Sequence, residues 1–436
     1  MLTQNPSRTT RSAHPVEAGN PLIFLLILRP HESQVDDHHD PPYKGTATRK
    51  AVKARPRILI LTAGFGDGHN SAARNLARAL QDHSHVQVED PCENGSPRLN
   101  DLLREGYRHL ITHAPLLWHW LYKSSDQQDF SRPRRFLRAT TQALADTVTR
   151  FQPHLVVSTY PLYPYLLEHG FQKGSAGRRV PVITIVTDSL EINSVWTRAP
   201  SDHFLVTDPA TRDLLLAPPA SLPAERVHSL GFPVNPSFPH LQPLSSSTPI
   251  RPFRVLFFAT RRFRHLSRIA RAVLSIPGTH LTIILGRSIR PLYHRAREIS
   301  RTHPDRVTLK GWTQRVPELM CSHHLTIGKA GGATVHEAMA AKCPMLIHHR
   351  VPGQEDGNIA LLESLGLGRF TPDPASIRAE IEHFMADHGR AWRACKKRFQ
   401  HHSRPAGATD TAQFLLRLHR DREDPLHQQS EAPPDL

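Results

Sequence analysis

Residues 57–63, RILILTA, are a short apolar run that breaks off into a cluster of glycines, and this junction limits what the chain can become. A run apolar on both faces fits a strand in a parallel sheet covered from both sides. Residues 70–80, NSAARNLARAL, then carry Ala and Leu at helical spacing, and 86–90, VQVED, read as another strand. Strand, helix and strand in that order form a right-handed crossover unit, which commits this stretch to a wound α/β sheet.

The alternation continues. LVVSTYP (155–161), VPVITIVTD (180–188), HFLVTD (203–208) and RVHSLGFPV (226–234) read as further buried strands, with 98–150 helical. Residues 241–252 are a linker by composition, after which the pattern restarts. FRVLFFAT (253–260), HLTIILG (280–286), RVTLKGW (306–312), HHLTIGKAGG (323–332) and CPMLIHH (343–349) are the strands of a second set. The expectation is α/β: two doubly wound Rossmann-like domains, 55–240 and 253–420, facing each other across a cleft. A chain of 436 residues is long enough for two such cores. Residues 1–54 and 421–436 read as disordered extensions, polar and rich in proline. The apolar stretch PLIFLLIL (21–28) is too short to span a bilayer and lacks the flanks of a signal peptide.

An excess of 55 Lys and Arg over 39 Asp and Glu favours anionic partners: nucleic acid, an anionic lipid surface or a phosphorylated substrate. No RNA-binding aromatic motif and no zinc-finger spacing accompany the charge, so nucleic acid is not the expected partner. Cys92, Cys321, Cys343 and Cys395 are widely spread, which reads as reduced thiols without a disulfide or zinc site. Doublets such as His348-His349 lack the spacing of a helical metal site, so most of the 30 histidines are expected at the surface and no metal is expected.

Three segments can carry chemistry. Gly64-Phe65-Gly66-Asp67-Gly68-His69 joins a strand to a helix, where Gly66 and Gly68 admit a ligand to the helix N-terminus. One reading is a dinucleotide turn with Glu89 or Asp90 on a ribose, although the spacing is G-x-G-x-G. A plain tight turn is another. His69 suits proton removal, or else caps and packs locally. The second segment, 328–338, places Gly331, Gly332 and Thr334 before Glu337. There the glycines clear space for phosphate oxygens, and the carboxylate can accept from both hydroxyls of a ribose. Thr334-x-x-Glu337 also satisfies a helix capping box. The third, 352–358, sets Gln354, Glu355 and Asn358 among glycines, either as a hydroxyl-binding loop or as an ordinary turn.

Taken together, 328–358 resembles the nucleotide-sugar signature of GT-B glycosyltransferases, as in monogalactosyldiacylglycerol synthases, processive diacylglycerol glucosyltransferases and, more distantly, the lipid II N-acetylglucosaminyltransferase. LTAGFGDGHNSAARNLARAL (61–80), the stretch from Val186 to Val206 and LGFPVNPSF (230–238) are similar to further segments of those families, in the same order. The resemblance implies a UDP-sugar co-substrate, no cofactor and no metal. It implies that Glu337 holds the donor ribose, that Gly331, Gly332 and Thr334 lie near the diphosphate, and that Gln354, Glu355 and Asn358 hold the sugar. Gly311 and Trp312 would line the base pocket. His69 would be the base of an inverting transfer, with Asp188 orienting it or the acceptor.

One departure stands out: no glycine falls between Phe253 and Ser275, where those families carry a Gly-rich loop. Either Arg261, Arg262 and Arg264 bind the phosphates in its place, or the donor site is altered. The acceptor expected from the resemblance is a diacylglycerol-type lipid. Trp118, Trp120 and Tyr122, with Arg134, Arg135 and their neighbours Arg132 and Arg138, would meet an anionic membrane from the cytoplasmic side. Tryptophans packed into the domain are the competing reading. Two other functions fit the same architecture: a nucleotide-sugar epimerase, and a sugar-nucleotide sensor without turnover.

Overall fold

The computed structural model describes residues 55–126, 135–171, 180–260, 263–286 and 290–423. The extension 1–54, the arginines 132, 134, 261 and 262, and the end of the tail lie outside these residues.

The first half holds six strands: β1 (Arg57–Leu61), β2 (His85–Glu89), β3 (Leu155–Ser158), β4 (Val182–Ile185), β5 (His203–Val206) and β6 (Val227–Ser229). They form one sheet in the order β2-β1-β3-β4-β5-β6, and every pair is parallel. The second half holds β7 (Phe253–Phe258), β8 (Thr279–Ile284), β9 (Val307–Lys310), β10 (Leu325–Lys329), β11 (Met345–His349) and β12 (Gly368–Phe370), ordered β12-β11-β10-β7-β8-β9 and again parallel throughout. Both are doubly wound α/β sheets, as expected. In each, the order reverses beside the first strand, between β1 and β3 and between β7 and β10. Crevices at the carboxyl ends of such reversal points are where open α/β sheets hold ligands.

The helices of the first half are α1 (Asp67–Leu80), α2 (Pro91–Gly95), α3 (Pro97–His113), α4 (Pro115–Ser125), α5 (Arg138–Phe151), α6 (Tyr163–Phe171), α7 (Ser194–Thr197) and α8 (Pro209–Leu216). Those of the second are α9 (Phe263–Leu274), α10 (Arg290–Thr302), α11 (Val316–Ser322), α12 (Gly332–Ala340), α13 (Asp356–Ser364), α14 (Pro374–Met385), α15 (Arg390–His402) and α16 (Gly407–Glu423). The periodicity of 70–80 becomes the buried stripe Ala72, Ala73, Leu76 and Leu80 of α1.

Two readings need correction. The last helix, assigned by sequence to the second domain, packs on the first: Ala412 and Leu415 of α16 share a core with Ile58, Ile60, Ala73 and Leu76. Six histidines, His69, His323, His324, His336, His348 and His419, are buried, while most of the described ones stay at least partly exposed, as expected. Buried imidazoles that find partners replace backbone contacts: His324 Nδ1 accepts from the Arg254 amide at 3.1 Å, tying the start of β7 to β10. Finally, Asp90 is no ribose ligand. Its carboxylate caps α2 through the amides of Cys92 and Glu93 and accepts from the Gly64 amide and the Tyr163 hydroxyl, each at 3.0 Å. Asp90 therefore braces the glycine turn.

Candidate active site at the facing crevices

β1 ends at Leu61, and the chain turns through Gly66 at φ 106°, a left-handed geometry that favours glycine. Gly66 is the N-cap of α1 without a side-chain cap, so the first amides of that helix are not closed off by a capping side chain. Around Gly66 and Gly68 the space a side chain would take is open.

His69 is the third residue of α1 and only 8% exposed. Its Nδ1 lies 3.1 Å from Thr187 Oγ1, and its ring meets Tyr160 edge-on and Trp196 at a tilt. Burial pulls the imidazole down to about 4, against a small opposing pull from its contact with Thr159, so the ring is neutral at ordinary pH. Asp188, next to Thr187 in the loop after β4, does not bond to His69. Its Oδ2 accepts from Trp196 Nε1 at 2.9 Å. Burial raises that carboxyl to about 6, the indole N–H opposes the rise, and the charge of Glu355 adds to it.

From the other side comes α12. Its N-cap is Gly331, so Thr334 lies inside the first turn and the capping box suggested by T-x-x-E is not formed. Glu337 sits further along the helix, half-buried. Burial raises its carboxyl to about 7, partly countered by Arg74 of α1. A side chain at Gly332 would come within 2.8 Å of the Thr187 carbonyl, and one at Gly331 would meet Lys329 and Glu355. These glycines thus let the loop that carries Thr187 and the Lys329–Glu355 pair approach the start of α12 closely. Ser189 Oγ contacts His336 Nε2 at 3.0 Å, and that ring stacks on Phe232. The loop 187–191 and the start of α12 are therefore in direct contact.

The loop before α13 is organised from within. Glu355 Oε1 accepts from Lys329 Nζ at 3.0 Å and Oε2 from the Val351 amide at 2.9 Å, while Asn358 Nδ2 donates to the Ala330 carbonyl. Lys329 is held above its usual range, chiefly by Glu355. Gln354 is tied to the first half, its Oε1 accepting from the Tyr107 hydroxyl at 3.0 Å. A sugar hydroxyl at Glu355 would have to share that carboxylate with Lys329. Gly311 and Trp312 follow β9 at the same end of the second sheet, with Trp312 exposed. Arg264 falls in the first turn of α9.

The aromatic island on α4 divides. Trp118 turns inward onto Tyr107 with ring centres 4.8 Å apart, and Tyr122 lies against Gly353. Trp120 faces out at 64% exposure, with Leu116, Leu117 and Leu121. Arg135 is exposed nearby in the chain. Trp120 is therefore exposed, whereas Trp118 and Tyr122 pack into the domain. No helix among the described residues is long and apolar enough to cross a membrane.

Thr187, Tyr107, Trp196 and Ser189 escaped the sequence reading as individual site residues. Trp196 had a signal, since it lies in the 186–206 segment. Tyr107 had none, because its partner Gln354 is 247 positions away.

Comparison with known proteins adds to this geometry. Residues 69–234 match the family model described as monogalactosyldiacylglycerol (MGDG) synthase. The chain is 23% identical over 347 residues to a processive diacylglycerol beta-glucosyltransferase of Bacillus cereus (strain B4264), covering 76% of this chain and 86% of that protein. Among solved structures it is similar to Acinetobacter baumannii MurG, with a TM-score of 0.54, 13% identity, and 83% and 99% of the two chains covered. It is also similar to the UDP-GlcNAc 2-epimerase of Neisseria meningitidis, with a TM-score of 0.51, 14% identity, and 83% and 100% covered. These structural likenesses establish the fold. Together with the two wound sheets they give the chain the GT-B fold, and its sequence is similar to the monogalactosyldiacylglycerol synthase and processive diacylglycerol beta-glucosyltransferase proteins.

Proposed function

We propose that the chain moves a hexose from a UDP-sugar to a hydroxyl of a diacylglycerol-type lipid, with inversion, without a metal and at an anionic membrane surface. The observation that carries this is His69, a neutral buried imidazole at the reversal point of the first sheet, facing the loop that meets α12. In the reaction the acceptor oxygen attacks the anomeric carbon as the bond to the diphosphate breaks. UDP leaves with the electron pair, and the acceptor proton passes to His69. Burial leaves His69 unprotonated in the free protein, the state from which a general base must start. Glu337 holds the ribose, and helix N-termini offset the charge on the leaving group.

A base at Nε2 requires the proton on Nδ1, donated to Thr187 Oγ1. Thr187→Val removes that acceptor and is expected to lower kcat about tenfold, whereas Thr187→Ser restores it. Equal losses in both variants would remove the tautomer argument.

Glu337 must be ionised to accept from two hydroxyls, and it titrates near 7. Uridine affinity should therefore rise as pH climbs from 6 to 8, and the slope should vanish in Glu337→Gln. A flat wild-type profile by calorimetry would take Glu337 off the ribose.

For the surface, Trp120→Glu should weaken binding to vesicles containing anionic lipid at least about tenfold, since it removes an interfacial ring and adds a repelled charge. Unchanged sedimentation with vesicles would put the membrane contact elsewhere.

The deciding assay is UDP release from UDP-glucose and UDP-galactose, with and without diacylglycerol in anionic vesicles, beside His69→Ala and Glu337→Ala. Lipid-dependent release that collapses in both variants supports the transferase. Isomerised sugar without lipid would point to an epimerase, and UDP binding without release to a sensor.

A further inference from the structure

At the carboxyl end of the second sheet three imidazoles converge. His348, on β11, has its ring centre 5.8 Å from that of His265 on α9 and 6.4 Å from that of His349, and His265 and His349 are 6.3 Å apart. Phe257 of β7 closes the underside, with its ring edge-on to His348. The group thus lies under the N-terminal turn of α9, beside the reversal point between β7 and β10. His348 is 4% exposed, yet neither Nδ1 nor Nε2 has a hydrogen-bond partner, and the hydroxyl of Thr260, two residues after β7, is also buried and unpaired. Buried polar groups in folded proteins are almost always paired, so two orphans at one end of one crevice mark a place built for something polar. What fits is an anion. A helix N-terminus presents amides and a partial positive charge, and an imidazole there can donate or take up a proton.

We propose that His348, with His265 and His349, receives the diphosphate of a nucleoside diphosphate donor and takes up a proton as it binds. This rests on the UDP-sugar reading and deepens it, because it assigns the phosphate contact in a chain that lacks glycines between Phe253 and Ser275. Among the described residues, the titratable groups facing His348 are His265 from α9 and His349 from β11, while β7 contributes Phe257. Burial, with those two neighbours adding to it, holds His348 down to about 3, so its own ring is uncharged in the free protein. Diphosphate charge at hydrogen-bond distance reverses that preference.

The test is calorimetry of the full chain at pH 6.5 with UDP, uridine and inorganic pyrophosphate, each in two buffers of different ionisation enthalpy. Uridine reports the ribose and base site, so the UDP-minus-uridine difference isolates the phosphates. The expected result is proton uptake in that difference. It should fall by at least half in His348→Gln, with UDP affinity about tenfold weaker and uridine affinity unchanged. His265→Asn, nearer the surface, should show a smaller loss and guards against misfolding of the first variant. Equal proton counts for UDP and uridine, or wild-type UDP affinity in folded His348→Gln, would overturn the proposal. Pyrophosphate uptake that depends on His348, without uridine binding, would keep the pocket and sink the nucleotide reading.

Discussion

His69→Ala is expected to lower kcat for transfer by about 10²–10⁴, the range that a positioned general base contributes, while UDP affinity stays within about twofold. The asymmetry follows from where His69 sits. It belongs to α1 and the first sheet, bonded to Thr187 and enclosed by Tyr160 and Trp196, whereas the proposed ribose ligand Glu337 belongs to α12. Alanine also leaves a hole under two aromatic rings, so some loss of stability is expected. His69→Gln separates the two effects, because an amide still reaches Thr187 and fills most of the space but takes no proton at neutral pH. Comparable kcat losses in Ala and Gln, with a near-native melting temperature for Gln, would identify proton transfer as the function. A Gln variant retaining more than a tenth of wild-type kcat would falsify His69 as the base.

The second large effect is expected at Gly357. A methyl group there would stand 1.9 Å from the Ser189 carbonyl oxygen and 2.6 Å from the Glu191 amide nitrogen, both backbone atoms with little freedom to give way. Gly357→Ala must therefore push α13 away from the loop 187–191. Overpacking of this kind costs about 1–3 kcal/mol and occasionally more, and the top of that range is expected here. The same loop carries Thr187 and Asp188, so kcat should fall about tenfold along with the melting temperature. Gly68→Ala is the control. Nothing lies within 4 Å of its added methyl, and Ala in a helix is favoured over Gly by roughly 1 kcal/mol. It should melt at or above the wild-type temperature. If both alanines behave alike, the contact between α13 and the loop is not tight in solution.

Much of the fold was legible because it is written in local patterns. RILIL at 57–61 and FRVLFF at 253–258 are short apolar runs followed by turns, and such runs have few alternatives to a strand buried on both faces. The path of α16 was not legible. Its sequence is mostly polar, and the few apolar positions that contact the first sheet do not announce which sheet they will meet. The site divides in the same way. Residues 64–69 and 328–358 stand out because glycines cluster between a strand and a helix. Thr187 on His69 is a pairing across 118 positions, and Ser189 on His336 one across 147, and neither has a signature within its own segment. His348 was set aside as half of a surface doublet. Alternation along β11 turns it into the core beside Phe257, and only the sheet order reveals that neighbour.

The return of α16 to the first sheet also governs how the protein is made. Ile58 and Ile60 leave the ribosome before either sheet is complete, but the cover supplied by Ala412 and Leu415 follows only after all twelve strands. At about 5–20 residues per second, that face of the newborn first domain stays bare for roughly ten to forty seconds after its last strand is complete. The nascent chain is then a client for chaperones that hold exposed apolar surface. A ribosome stalled between Phe370 and Gly407 would release a product with two wound sheets, one of them unsealed and prone to aggregate.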